Sequence, residues 1–172
     1  LEGVLHDLSS RQDNPLTVNF TGFSKGGSQA MLAAGEMIGG RLFEDDPQIK
    51  LGRLDAFSPV AFVSPAYIEI FNKHVSNLGG QATTYELEGD KNPTILTPQA
   101  DGMFTRYGYG HVGTHIYLRQ AEGQTPPEAI VSPDPQQLAT LRGNAIKNPD
   151  LHNSTVLLSV LESFNPSTGL NL

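Results

Sequence analysis

The chain contains no cysteine, which excludes disulfides, thiol nucleophiles and cysteine-ligated metals. Charge is also scarce: 17% of the 172 residues are charged, against about 25% in an ordinary soluble domain. Disorder driven by charge excess is therefore not expected. Basic residues are the scarcer kind, 11 Lys and Arg against 18 Asp and Glu, for a formal net charge of -7. That balance disfavours nucleic acid and anionic membrane surfaces as electrostatically recruited partners, while leaving open a neutral lipid held by apolar contacts. No apolar run approaches the ~20 residues that a spanning helix requires, so no transmembrane segment is expected. No basic-then-apolar leader opens the sequence.

What is present suffices for one continuous core: 38% of residues are hydrophobic, and the length suits a single domain over residues 1–172. The first residue is Leu1, and "LEGVLHDLSS" reads as a helix whose Val4, Leu5 and Leu8 need a surface to pack on. This start is read as that of a cleaved or truncated product whose fold begins upstream.

Short apolar runs alternate with helix-like segments, the pattern of an α/β architecture. "LTVNF" (16–20) reads as a buried strand, and "SQAMLAAGEMIGG" (28–40) as a helix stopped by Gly39 and Gly40. "LDAFSPVAFV" holds a second strand broken at Ser58-Pro59. Ser64 then caps a helix with Pro65 in its first turn, closed by Gly79-Gly80. "ATTYELEGD" reads as a third strand with Thr83, Tyr85 and Leu87 on one face, and "THIYL" as a fourth. "EGQTPPEAIVSPDP" reads as a proline-rich surface connection. Helices are expected over "PQQLATLRGNAIK" and over "LHNSTVLLSVLESF", the latter capped at Asn153 or Ser154.

The chemistry concentrates at "TVNFTGFSKGGSQAMLAAGE". Here Gly22-Phe23-Ser24-Lys25-Gly26 is a G-x-S-x-G motif lying directly between an expected strand and an expected helix. That context defines a nucleophile elbow, a turn sharp enough to strain the serine backbone and to demand glycine two residues to either side. The serine oxygen then projects near the positive end of the helix, and the Lys25 amide is placed to donate to an oxyanion. A phosphate loop fits less well, because the Walker pattern needs its lysine after the glycines, and Lys25 precedes Gly26 and Gly27. A glycine-rich βα turn with an incidental serine is the plainer alternative.

Serine is a poor nucleophile without a base, so a histidine oriented by a carboxylate must follow in the order Ser, Asp or Glu, His. Of the five histidines, His6 and His74 sit on helical stretches as surface or packing residues. His111 and His115 have the spacing of a zinc pair, but Gly113 between them opposes the helix such a pair needs, and no metal or cofactor is expected. His152 lies in a loop before the last helix, where a base would be delivered. For the acid, Asp90 ends the third strand on the rim where Ser24 should sit. Glu86 and Glu88 compete but alternate away from the core, and Asp101 and Asp150 remain further candidates.

Taken together, "TVNFTGFSKGGSQAMLAA", "AFSPVAFVSPAYIEIFNKHV", "TTYELEGDKNPTILTP", "YGYGHVGTHIYL" and "NPDLHNSTVLLSVL" resemble, in order, segments of the class 3, fungal-lipase-like lipases. The resemblance runs from Thr17 to about Leu161, with "GFSKGG" and "GHVGTHIYL" its most specific pieces. It implies the C-terminal half of an α/β-hydrolase fold, a mostly parallel sheet flanked by helices. It also implies Ser24 as nucleophile, Asp90 as orienting acid, His152 as base and the Lys25 amide as half of the oxyanion hole, and leaves His111 structural. The implied activity is that of a serine lipase or carboxylester hydrolase acting on triacylglycerol or phospholipid. The alternative is a catalytically inactive lipase-like binding or interaction module. The residues before Thr17 are too few for the first strands, lid and second oxyanion donor of such a fold, so either a second chain supplies that half as a partner or this chain is incomplete. Export is common in the family and compatible with a cysteine-free acidic chain. Phe23 and Lys25 depart from the family's usual His and Leu beside the serine.

Overall fold

The computed structural model describes residues 1–61, 63–90, 110–119, 128–144 and 151–163. Among the described residues five strands form one sheet in the order of the chain: β1 (Leu16–Phe23), β2 (Ile49–Phe57), β3 (Gln81–Leu87), β4 (Thr114–Arg119) and β5 (Glu128–Val131). The first four run parallel and β5 is antiparallel to β4. A sheet wound in sequence order brings the carboxyl ends of β1, β2 and β3 to one rim, where open α/β sheets place their ligands. Backbone bonds lash those ends together: Ser24 N–H donates to Phe57 C=O at 2.8 Å, and Ser58 N–H to Tyr85 C=O at 2.8 Å.

Six helices accompany the strands among the described residues: α1 (Glu2–Ser9), α2 (Lys25–Gly39), α3 (Leu42–Asp45), α4 (Pro65–Asn77), α5 (Pro135–Asn144) and α6 (Ser154–Ser163). In α2 the buried Ala30, Met31, Ala34, Met37 and Ile38 recur at helical spacing. They join Phe71 and Val75 of α4 and Phe20, Leu51, Leu54, Ala56 and Ala82 of the sheet in the larger core. The opposite face of the sheet carries a smaller cluster of Tyr85, Leu87, Ile116 and Leu118 under Val160 of α6. The caps fall where the sequence puts them. Ser64 Oγ accepts from Tyr67 N–H at 3.3 Å, with Pro65 in the first turn, and Asn153 Oδ1 accepts from Thr155 N–H at 2.8 Å.

Three expectations are corrected. β1 and β2 are longer than their apolar kernels, continuing through Gly22 and Phe23 at one end and Ile49 to Arg53 at the other, and β1, expected to be buried, lies at the sheet edge with only Phe20 buried and Thr17, Asn19 and Thr21 exposed. The stretch read as a surface connection contains β5, which pairs Ile116 with Val131 and Leu118 with Ala129; residues 122–127 of it lie outside the described residues. Of the three apolar residues in α1, only Leu5 is buried, while Val4 and Leu8 stay exposed.

The fourth correction concerns Glu86, which alternation turns away from Tyr85 and Leu87 and so was expected away from the core. It does lie on the opposite face, but that face is covered too, and Glu86 is 1% exposed. Parallel sheets are buried on both sides, so facing away from one core means facing into another. Arg142 of α5, itself buried, donates to Glu86 through Nε at 2.8 Å and Nη2 at 2.6 Å. His115 Nε2 of β4 lies 3.0 Å from the same carboxylate. Burial alone would raise the Glu86 pKa, but hydrogen bonds and charge from Arg142 and His115 outweigh it and hold the group at about 2. Beside it the Tyr117 hydroxyl is pushed above its ordinary range, first by burial and then by Glu86 and Glu88.

The bidentate pair pins α5 to the sheet, and its loss is expected to be costly. Arg142→Ala leaves the buried carboxylate without its guanidinium partner and lowers stability by about 3–5 kcal/mol in urea denaturation, whereas Glu86→Met with Arg142→Met costs far less. The Glu86 pKa is depressed on folding from 4.5 to about 2, so its contribution is complete above about pH 4.5 and fades as pH falls towards 2. The double variant is therefore expected to lose less stability than wild type across that interval.

Candidate active site

The turn after β1 determines where everything else must be. Ser24 has φ 56° and ψ −124°, a conformation that L-residues with a side chain rarely adopt. The chain reverses there from strand to helix within one residue. Its neighbours show which glycines the reversal requires. A Cβ on Gly22 would run into the carbonyl of Gly26. A Cβ on Gly27 would lie 2.9 Å from the Gly22 oxygen and 3.2 Å from Pro59 Cβ. Gly26, expected from the motif to be indispensable, has nothing within 4 Å of such an atom. The crowded pair is Gly22 and Gly27, because the first turn of α2 folds back over the end of β1.

A second tie holds the helix start in place. Ser28 Oγ accepts from Val60 N–H at 3.1 Å and lies 3.3 Å from Val60 C=O, joining α2 to the segment after β2. Lys25 is exposed and is the first residue of α2, where the helix makes no use of the backbone N–H.

The acid comes from the next rim position but one. After β3, Gly89 adopts φ 80° and Asp90 N–H donates to Leu87 C=O at 3.1 Å, a tight turn that only the glycine makes easily. This delivers Asp90 with its side chain fully buried. His152, on the approach to α6, is brought to both residues. Its Nδ1 lies 2.9 Å from Asp90 Oδ2 and 3.1 Å from Oδ1, and its Nε2 lies 2.7 Å from Ser24 Oγ. A carboxylate can only accept, so Nδ1 carries the proton and Nε2 of the neutral ring is left to accept from the serine hydroxyl. The His152 side chain is 23% exposed.

Ser24, Asp90 and His152 thus meet, and the Lys25 amide stands one residue from the serine oxygen. The other candidates among the described residues do not join them. His6 is bonded to Asp46 at 2.8 Å, His74 lies in α4, and Glu86 is engaged with Arg142. The rings of His111 and His115 are edge to face at 5.4 Å between centroids. Asp101 and Asp150 lie outside the described residues. One neighbour escaped the sequence reading: the Phe23 ring stacks on the imidazole of His152, with centroids 4.8 Å apart and planes at 22°. The aromatic next to the serine was the available signal, but its partner is far along the chain.

No family model matches the sequence, and no curated protein is similar enough in sequence to match it. Solved structures do match the fold. A lipase from Rhizopus microsporus var. chinensis superimposes with a TM-score of 0.57 at 15% identity, over 87% of this chain and 46% of that one. A triacylglycerol lipase from Penicillium expansum gives 0.56 at 15% identity, over 83% of this chain and 48% of that one. The fold is therefore the fungal-lipase type of α/β-hydrolase fold that the sequence resemblance implied. The chain spans just under half the length of these structures.

The glycine geometry separates two substitutions that the motif treats alike. Gly22→Ala is expected to destabilise the protein by about 1–3 kcal/mol through overpacking against Gly26. Gly26→Ala is expected to be neutral, or stabilising by up to about 1 kcal/mol, since it fills open space in a helical turn. Paired urea denaturation curves distinguish them.

Proposed function

We propose that the protein is a serine ester hydrolase of the lipase type. The observation that carries this reading is the continuous hydrogen-bonded chain from Ser24 Oγ through both nitrogens of His152 to a fully buried Asp90. A serine held at an unfavourable backbone conformation, with a base at 2.7 Å, is set up as a nucleophile.

In this reaction His152 Nε2 takes the Ser24 proton as Oγ forms a bond to the acyl carbon. The carbonyl electrons move onto oxygen, and the Lys25 N–H donates to the resulting oxyanion. Collapse of the tetrahedral species breaks the bond to the alcohol, which leaves with the proton from His152. Water then attacks the acyl-enzyme, giving its proton to His152, and the acid departs as the serine hydroxyl is restored. Asp90 keeps the ring in the correct tautomer and offsets its positive charge throughout. The substrate is an acyl ester of a lipid. The shortage of basic residues favours a neutral one, and the triacylglycerol lipase activity in the name of the Penicillium protein supports the same class.

Hydrolysis of a p-nitrophenyl acyl ester by the full protein is the test. Ser24→Ala is expected to lower kcat by at least about 10⁴-fold, and Asp90→Asn by about 10⁴-fold through loss of the productive tautomer. Turnover by Ser24→Ala close to wild type would end the reading of Ser24 as nucleophile, and an ester left intact by the wild-type protein would leave the fold as a binding module.

A further inference from the structure

Phe23 takes no part in the proton chain, yet it touches the residue through which every proton passes. Its ring lies flat against the His152 imidazole at 4.8 Å and 22°. Away from that contact it packs on the cluster of Tyr85, Leu87, Ile116, Leu118 and Val160, so the core holds the ring in place. Hydrogen bonds at Nδ1 and Nε2 hold two points in the plane of the imidazole. A rigid surface on one face opposes rocking of the ring about the line through them.

We propose that Phe23 is a positioning residue for His152, setting the tilt of the imidazole so that Nε2 stays aimed at Ser24 Oγ, an inference that rests on the hydrolase reading above. The contact acts in a second way. When His152 holds the serine proton, the imidazolium faces the electron-rich face of a benzene ring, an attraction stronger in the charged state that arises during reaction than in the resting one. Both effects bear on the rate of the chemical step, and neither bears on how tightly an ester binds.

The test compares Phe23→Leu and Phe23→Tyr with wild type in the full protein, using a fluorophosphonate that reacts with an activated serine. The stack is read separately from the ring proton resonances of His152, assigned with His152→Gln. In wild type those resonances are expected upfield, shielded by the aromatic face. They move downfield in Phe23→Leu and return in Phe23→Tyr. Phe23→Leu is expected to lower the maximal rate of Ser24 labelling about tenfold, equivalent to about 1.4 kcal/mol. The half-saturating probe concentration stays unchanged, and Phe23→Tyr restores the rate. With a reactive wild-type Ser24, labelling of Phe23→Leu at the wild-type rate, a change confined to half-saturation, or no rescue by tyrosine overturns the role of Phe23 alone. An inert wild-type Ser24 overturns the hydrolase reading and the role of Phe23 with it. Should Phe23→Leu fail to fold, unshielded His152 ring protons in wild type still overturn the proposal.

Discussion

The structure depends on one backbone reversal. Between Gly22 and Gly27 the chain leaves the edge strand β1 and enters a helix with Ser24 alone at the corner, at φ 56°. Such a conformation costs on the order of 1–3 kcal/mol and persists only where its surroundings over-determine it. Here they do. Ser24 N–H is bonded to the end of β2, Ser28 ties the helix start to Val60, and the Gly22 and Gly27 backbones pass too close for any side chain. The return for that strain is a hydroxyl held above the rim of the sheet.

The rest of the architecture brings partners to that point. Parallel winding in sequence order stacks the carboxyl ends of β1, β2 and β3 side by side, so the turn at Gly89 presents Asp90 near the rim occupied by Ser24. The start of α6 supplies His152, and the small apolar cluster under Val160 holds that helix against the sheet. On the opposite face the Glu86–Arg142 pair does for α5 what apolar contacts do elsewhere. A buried ion pair contributes less to net stability than its short distances suggest, but it makes any other seating of α5 expensive.

Much of this was legible in the sequence, and the limits of legibility have physical causes. The elbow could be read because its determinants are local: strand, serine, glycines and helix lie within a few residues of one another. Asp90 could be ranked because the strand end on which it lies, and the alternation that turns Glu86 and Glu88 aside, are local too. The motif misled on Gly26, since which glycine is crowded depends on how the helix folds back and not on spacing from the serine. Alternation gave Glu86 the right face but could not say that a helix from 56 residues further along covers it. β5 was hidden in a proline-rich stretch because four residues carry too little periodicity to register. The Phe23–His152 stack joins residues from opposite ends of the chain, and pairings of that kind leave no trace in local pattern.

The central claim is that the strained corner aims the Ser24 oxygen at a base on one side and leaves a backbone donor free for an oxyanion on the other. The most direct measurement is a crystal structure of the full protein after exposure to a phosphonate ester. The account predicts a covalent bond from Ser24 Oγ to phosphorus, with a phosphoryl oxygen within hydrogen-bonding distance of the Lys25 N–H. An unmodified Ser24 whose hydroxyl is turned away from His152 would contradict it.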